Sequence, residues 1–162
     1  MSQSISNGKR NALLVGINSY YLDGAIGNLR YCVNDVKSLN EILSNHLRGD
    51  FNTYLLTSDT NEKNDEPNRS NIMSMLRLIA NSAGPNDTLL FYFAGHGIEK
   101  DGKSYILPAD SKMNILDETA ISIDWIKNTL NESSAKQRIL VLDSCYSGSK
   151  LGRMAGRMTE AF

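Results

Sequence analysis

Short apolar runs alternate with stretches of helical periodicity along the chain. Most of the runs are continuously apolar, which is typical of strands buried on both faces of a parallel sheet. The predicted strands are 11–17, 52–57, 88–94 and 138–143. Between them, apolar residues recur every three or four positions, as they do on one face of an amphipathic helix. The predicted helices are 29–47, 72–83 and 122–131.

Turn and capping residues mark the ends of these elements. Gly84, which precedes a proline, ends the second predicted helix, and Ser122 is a suitable N-cap for the third. The pair Asp101-Gly102 favours a tight turn before a short strand at 105–107, so we expect a small hairpin there.

Strands that alternate with helices predict an α/β domain with a mostly parallel sheet. In such sheets, functional groups gather just beyond the carboxyl ends of the strands. His96 and Cys145 each follow a predicted strand directly. This placement is the main sequence argument for an active site.

Composition narrows the function classes. The 162 residues correspond to about one domain, and a net charge of -1 gives no reason to expect nucleic acid or an anionic membrane as partner. Two cysteines and two histidines exclude a disulfide scaffold and a multi-thiolate zinc site. No signal peptide and no apolar stretch of about 20 residues is present, so a cytoplasmic setting is expected.

Cys145 is a candidate nucleophile. The alternative is a buried structural cysteine, which is common for free thiols. Its neighbours argue against a core position because they are polar or small. They are Asp143, Ser144, Tyr146, Ser147 and Gly148.

His96 is the candidate base for Cys145. Gly95 and Gly97 flank it and would allow a sharp turn close to a substrate. The backbone amides of Gly97 and Cys145 are candidate donors to an oxyanion. The alternative for His96 is a histidine that only satisfies a turn. The other cysteine and histidine have structural interpretations. Cys32 falls on the apolar face of the first helix and is expected to pack in the core, and His46 falls near the C-terminus of that helix and is expected to be a surface residue beside the helix dipole.

Two segments resemble the histidine and cysteine motifs of the caspase-like cysteine peptidases, with the best match to the metacaspases and bacterial orthocaspases. They are Leu-Leu-Phe-Tyr-Phe-Ala-Gly-His-Gly at 89–97 and Ile-Leu-Val-Leu-Asp-Ser-Cys-Tyr-Ser-Gly at 139–148. The segments 12–18 and 28–35 resemble the first strand and helix of that family. The histidine also precedes the cysteine by about 50 residues, as in caspases.

The resemblance implies a fold and an activity. It implies a caspase-like three-layer fold whose mostly parallel sheet is flanked by helices, without the strands of a small subunit. It implies a cysteine endopeptidase that uses a dyad of Cys145 and His96, acts on a peptide or protein substrate, and needs no cofactor for its chemistry.

The resemblance also implies a substrate preference. The positions of Asp35 and Asp143 match the two aspartates that line the metacaspase pocket for the residue before the cut. Carboxylates in that pocket select Arg or Lys. Without the resemblance, Asp35 would be an ordinary residue in the first turns of a helix.

The expected organisation is a flexible segment at 1–9, a catalytic domain at 10–150 and a basic linker or tail at 151–162. The tail contains Arg153 and Arg157, which are candidate sites of self-processing. The alternative is a disordered basic end.

Two further properties stay open. Many metacaspases bind calcium, but the candidate ligands here do not form a dense set. They are Asp101, Asp110, Asp117, Glu118 and Asp124. The chain stops soon after the cysteine, so the strand 138–143 is expected to leave an exposed sheet edge for a small subunit or for self-association.

Two rival functions remain. The chain could be a dormant caspase-like interaction module that needs a small subunit or partner. It could also be a small-molecule hydrolase with a cysteine nucleophile, although Cys145 lacks the Gly-x-Cys-x-Gly pattern.

Overall fold

The computed structural model describes residues 8–146 and 155–161. In chain order, the elements are β1 (Arg10–Gly16), α1 (Cys32–Leu43), β2 (Asn52–Thr57), α2 (Arg69–Ser82), β3 (Thr88–Lys100), β4 (Lys103–Ile106), α3 (Leu116–Thr119), β5 (Ile121–Ser122), α4 (Ile123–Asn131), β6 (Gln137–Tyr146) and β7 (Ala155–Ala161). Within these described ranges, no helix is long and apolar enough to cross a membrane.

Four parallel strands form the centre of the sheet in the order β2-β1-β3-β6. The strand β3 is longer than β1, whose last paired residue is Gly16 opposite Ala94. Beyond that point β4 takes the place of β1 and pairs antiparallel with β3 from Gly97 onward. On this side, the neighbour of β3 therefore changes from β1 to β4 along its carboxyl half.

Helices cover both faces of the sheet, because its strands are apolar on both sides. On one face, Phe91 and Phe93 of β3 pack in a cluster with residues of α2 and α4. On the other face, Leu90 and Tyr92 pack with Val36 of α1. This arrangement confirms the predicted three layers around a mostly parallel sheet.

The sequence placed the strands and helix caps well. Asn52–Thr57 matches its prediction, and the oxygen of the Ser122 side chain accepts from the Trp125 amide as the predicted N-cap. The hairpin turn also forms as expected, with positive φ angles at Asp101 and Gly102.

The first helix is shorter than predicted, and His46 lies beyond it. α1 ends at Leu43, because the Asn45 carbonyl accepts the amides of Arg48, Gly49 and Asp50 in a turn. The expectation that His46 lies within the helix near its C-terminus is therefore wrong.

The two strands that carry the candidate dyad are longer than predicted. β3 continues through His96 to Lys100, and β6 includes Cys145. The glycines beside His96 consequently do not turn the chain sharply. Pairing on both sides of β3 keeps this segment extended, since β6 lies along one side and β4 begins on the other.

One part of the tail pairs with the sheet. Ala155–Ala161 forms β7, which pairs antiparallel with β6 from Ile139 to Cys145. The expected exposed edge on strand 138–143 therefore carries a strand. The basic charge and the glycines of the tail gave no indication that part of it forms a strand beside β6.

Helix α2 offers a matched test of the core. Leu76 is fully buried, whereas Leu78 on the same helix is 59% exposed. We expect Leu76→Ala to lower the free energy of unfolding by about 2–5 kcal/mol because it leaves a cavity. We expect Leu78→Ala to change it by less than about 0.5 kcal/mol. Urea denaturation followed by circular dichroism would measure both, and equal effects would contradict this packing.

Candidate active site

The register of the sheet brings the two candidate catalytic residues together. β3 and β6 are parallel, and His96 lies directly opposite Cys145. Neighbouring strands are about 4.8 Å apart. The main chains of a histidine and a cysteine, 49 positions apart in the sequence, therefore adjoin at the carboxyl end of the sheet.

The imidazole of His96 is oriented by a main-chain carbonyl. Nε2 lies 2.7 Å from the Gly27 oxygen, in the loop between β1 and α1. A carbonyl can only accept a hydrogen bond, so Nε2 carries the proton. In the neutral ring, Nδ1 is then the nitrogen able to accept a proton.

The main chain of His96 is bound by the same loop. Its amide donates to the Tyr20 hydroxyl oxygen at 2.8 Å, and the two rings lie 5.0 Å apart between centroids. Tyr20 is 6% exposed, and burial raises the pKa of its phenol. The hydroxyl is therefore a neutral group at physiological pH.

Asn18 ties the two ends of this loop together. Its amide donates to the Ser58 side chain at 2.8 Å, and its carbonyl accepts the Leu29 amide at 2.7 Å. Its side chain donates to the Arg30 carbonyl and accepts from the Val33 amide. Asn18 was not singled out from the sequence, where it is one of several polar residues after the first strand.

The loop is also anchored to the segment that precedes α3. The Asp23 carboxylate accepts the amides of Ala25 and Met113 at 2.9 and 2.7 Å. These donors lower the pKa of Asp23. A carboxylate that bridges two loops in this way restrains the part of the loop between Tyr20 and Gly27.

Tyr92 connects the two aspartates that were assigned to the substrate pocket. Its hydroxyl donates to Asp143 Oδ2 at 3.3 Å, and it lines a cavity of about 460 Å³ together with Asp35. Asp143 is half-buried and Asp35 is exposed. The remaining lining residues are Ser38, Leu39, Ile42, Leu90 and Val141. Tyr92 was read from the sequence only as a strand residue.

The second histidine lies apart from this arrangement, whereas Cys32 at the start of α1 is close enough to Tyr20 to contribute to the raised pKa of its phenol. Cys32 is half-buried and packs against the apolar cluster beneath α1. The His46 ring is 91% exposed, and its Nδ1 lies 2.8 Å from the Asp50 carboxylate. His46 is therefore a natural control for the other histidine, and Cys32, which lies on a different element from Cys145, is the control for the other cysteine.

The acidic residues considered for calcium are dispersed. Asp110 accepts the Arg69 amide at 2.8 Å, and Asp117 forms a 2.6 Å ion pair with Lys100. In the described part of the chain, no group of three or more acidic, histidine or cysteine side chains could hold a metal ion.

Comparison with known families decides the relationship of the chain. Residues 10–153 match the family model described as the metacaspase, peptidase C14 domain. The chain belongs to the metacaspases. This confirms the resemblance drawn from the histidine and cysteine segments.

Curated relatives of the metacaspase domain include fungal proteins. This chain is 35% identical over 158 residues to Metacaspase-1 of Debaryomyces hansenii, and the aligned region covers 90% of this chain and 34% of the relative. It is 34% identical over 158 residues to Metacaspase-1 of Ajellomyces capsulatus, covering 89% of this chain and 42% of the relative. The chain thus spans less than half the length of these relatives.

A solved structure supports the fold. A crystal structure of a protein from Geobacter sulfurreducens matches with a TM-score of 0.66 at 21% sequence identity. The match covers 87% of this chain and 52% of that protein. The match supports the α/β architecture with its flanking helices, and membership of the metacaspase family identifies it as the caspase-like fold that the sequence predicted.

Gly95 is a position where the site is tightly packed. A Cβ there would lie 2.6 Å from the Phe93 ring and 2.9 Å from the Tyr20 hydroxyl, whereas nothing lies within 4 Å of one at Gly24. We expect Gly95→Ala to lower the free energy of unfolding by about 1–3 kcal/mol through overpacking. Gly24→Ala is the control. Denaturant unfolding would test this, and a neutral Gly95→Ala would show that the contact is looser than described.

Proposed function

We propose that this metacaspase domain is a cysteine endopeptidase with Cys145 as nucleophile and His96 as base. The observation that carries the proposal is the parallel register that sets these two residues opposite each other. The hydrogen bond from His96 Nε2 to the Gly27 carbonyl supports it, because it leaves Nδ1 to accept a proton.

The proposed reaction has two stages. The Cys145 thiol transfers its proton to His96, and the sulfur attacks the carbonyl carbon of the scissile peptide bond. The imidazolium then returns a proton to the leaving amine as the carbon–nitrogen bond breaks. A water molecule next attacks the thioester with His96 as base, which releases the carboxylic acid and the thiol.

The backbone amides of Gly97 and Cys145 are the proposed oxyanion donors. Each belongs to a residue at or beside the dyad, at the carboxyl ends of β3 and β6. Gly97 is buried, so a hydrogen bond from its amide would act where water is scarce. Such donors stabilise the negative charge that develops on the carbonyl oxygen during attack.

The two cysteines and two histidines allow a balanced test of the dyad. We expect Cys145→Ala and His96→Ala to reduce cleavage of fluorogenic Arg and Lys peptides by at least about 10³-fold, since each removes a reacting group. Cys32→Ala and His46→Ala should retain most of the activity. Assays with and without calcium would compare all four variants with the parent domain.

The results have clear meanings. Retained cleavage in Cys145→Ala would contradict the nucleophile assignment. Turnover of a small ester without peptide cleavage would favour a small-molecule hydrolase. A domain that is inactive with every substrate, with and without calcium, would favour the dormant interaction module.

We also propose that Asp35 and Asp143 select a basic residue before the cut. Asp35 lines the 460 Å³ cavity, and Tyr92 on its wall donates to Asp143. Lys and Arg side chains have a long apolar stem and a cationic end. A cavity with leucine and isoleucine on its walls, Asp35 among its lining residues and Asp143 hydrogen-bonded to its Tyr92 suits both parts.

Neutralising these carboxylates should alter specificity more than folding. We expect Asp143→Asn and Asp35→Asn to raise KM for Arg and Lys peptides by about 10-fold or more each, because each replaces a carboxylate that can pair with the cationic side chain by a neutral amide. Glu132→Gln, at the C-terminal cap of α4, is the control. An unchanged KM in both aspartate variants would overturn the pocket, and cleavage after Asp would reverse its charge preference.

Self-processing in the basic tail is a further part of the proposal. Arg153 lies outside the described residues, while Arg157 is in β7 opposite Asp143. Cleavage at Arg157 would require β7 to leave β6. A small subunit or a second copy could then pair with the vacated edge.

A further inference from the structure

His96 lies beside a gap in the pairing of the sheet. On the β1 side of β3, the Ile17 amide donates to the Ala94 carbonyl at 2.9 Å, which is the last such contact before β1 gives way to its loop. Further along, the Leu107 amide donates to the His96 carbonyl at 2.9 Å. The amide of His96 lies between these two contacts.

The Tyr20 hydroxyl fills this gap. It accepts the His96 amide at 2.8 Å, so a side chain takes the place that a strand carbonyl would occupy. The tyrosine is itself held, since its amide donates to the Asn28 side chain at 3.1 Å. Gly95 leaves room for the phenol, because a Cβ there would lie 2.9 Å from its oxygen.

A phenol in this position needs a reason beyond packing. Tyr20 is 6% exposed, and burying a hydroxyl costs free energy unless it forms a hydrogen bond. A phenylalanine would fill the same apolar space without that cost. The polar contact that the hydroxyl makes is with the backbone of the proposed catalytic histidine.

We propose that Tyr20 is a positioning residue that fixes the local main chain of His96 and thereby the orientation of its ring beside Cys145. The hydroxyl fixes the main chain of His96, while the Gly27 carbonyl in the same loop fixes its ring. The catalytic consequence of this inference rests on the proposed function. Its structural part, the control of the main chain and tautomer of His96, does not.

Tyr20→Phe tests the hydroxyl, and Tyr21→Phe is its matched control. Tyr21 is adjacent in sequence but 56% exposed. The loss of the Tyr20 hydroxyl leaves the His96 amide without its acceptor and lets the ring drift from the Gly27 carbonyl. We expect kcat for an Arg peptide to fall about 10- to 100-fold with little change in KM, because misplacing a catalytic group by about 1 Å has that effect. Tyr21→Phe should retain the parent kcat.

A second readout is independent of activity. Because the chain has two histidines, 15N spectra of the imidazoles contain one pair of signals from His96 and one reference pair from His46, and His46→Asn assigns them. We expect the parent His96 to be the Nε2–H tautomer. In Tyr20→Phe we expect a mixed tautomer and amide exchange at His96 at least about 10-fold faster, with His46 unchanged.

The outcomes distinguish a failure of the positioning role of Tyr20 from a failure of the proposed peptidase function. Unchanged tautomer and amide exchange in Tyr20→Phe would overturn the positioning role, whatever the activity does. If Tyr20→Phe changes the tautomer of His96 but the parent domain cleaves no peptide, the result would support the positioning role and contradict the proposed function. If Tyr20→Phe does not fold, Asn28→Ala takes its place, because it frees the Tyr20 main chain and keeps the hydroxyl. Exchange at His96 no faster in Asn28→Ala than in Tyr21→Phe would then count against the proposal.

Discussion

The unbroken parallel pairing of β3 with β6 is the constraint on which the site depends. Ten consecutive residues of each strand are in register, and the pairing begins with Thr88 opposite Gln137. A shift of one residue would exchange the two faces of a strand and place Phe91 and Phe93 on the side of α1. The apolar packing of both faces therefore fixes the register, and the register in turn sets His96 opposite Cys145.

The main elements followed from the sequence because their causes are local. Short runs rich in apolar residues identified the four parallel strands, and a single serine located the start of α4. His96 and Cys145 were recognisable as candidates because each follows a strongly apolar run and stands among small or polar residues. The resemblance to metacaspases then gave the pair a chemistry, and the family comparison confirmed the relationship.

The features that the sequence could not provide depend on long-range contacts. Tyr20 and His96 are 76 positions apart, and Tyr92 and Asp143 are 51 apart. Neither pair follows from periodicity or from a local motif. The ends of β3 and β6 were also missed, because a glycine-rich segment resembles a turn until its neighbouring strands are known.

Both proposed roles in the site share one physical logic. Each places a reactive or charged group beside a tyrosine hydroxyl that comes from a different element. Tyr92, on the cavity wall, donates to Asp143, and Tyr20 accepts the amide of His96 near the carboxyl end of the parallel strands. A phenol suits this purpose because its ring is anchored by apolar packing while its oxygen remains a neutral hydrogen-bonding group.

The unequal lengths of β1 and β3 affect which changes of chain length this domain can tolerate. An insertion of one residue within β1 would move the side chains of all later residues of that strand to the opposite face of the sheet. The exposed stretch around Gly24 lies between the anchors Tyr20 and Gly27 and has open space around it. The strand before this stretch must therefore keep a constant number of residues, whereas the loop can accommodate a change of length wherever the contacts of Tyr20, Asp23 and Gly27 are kept.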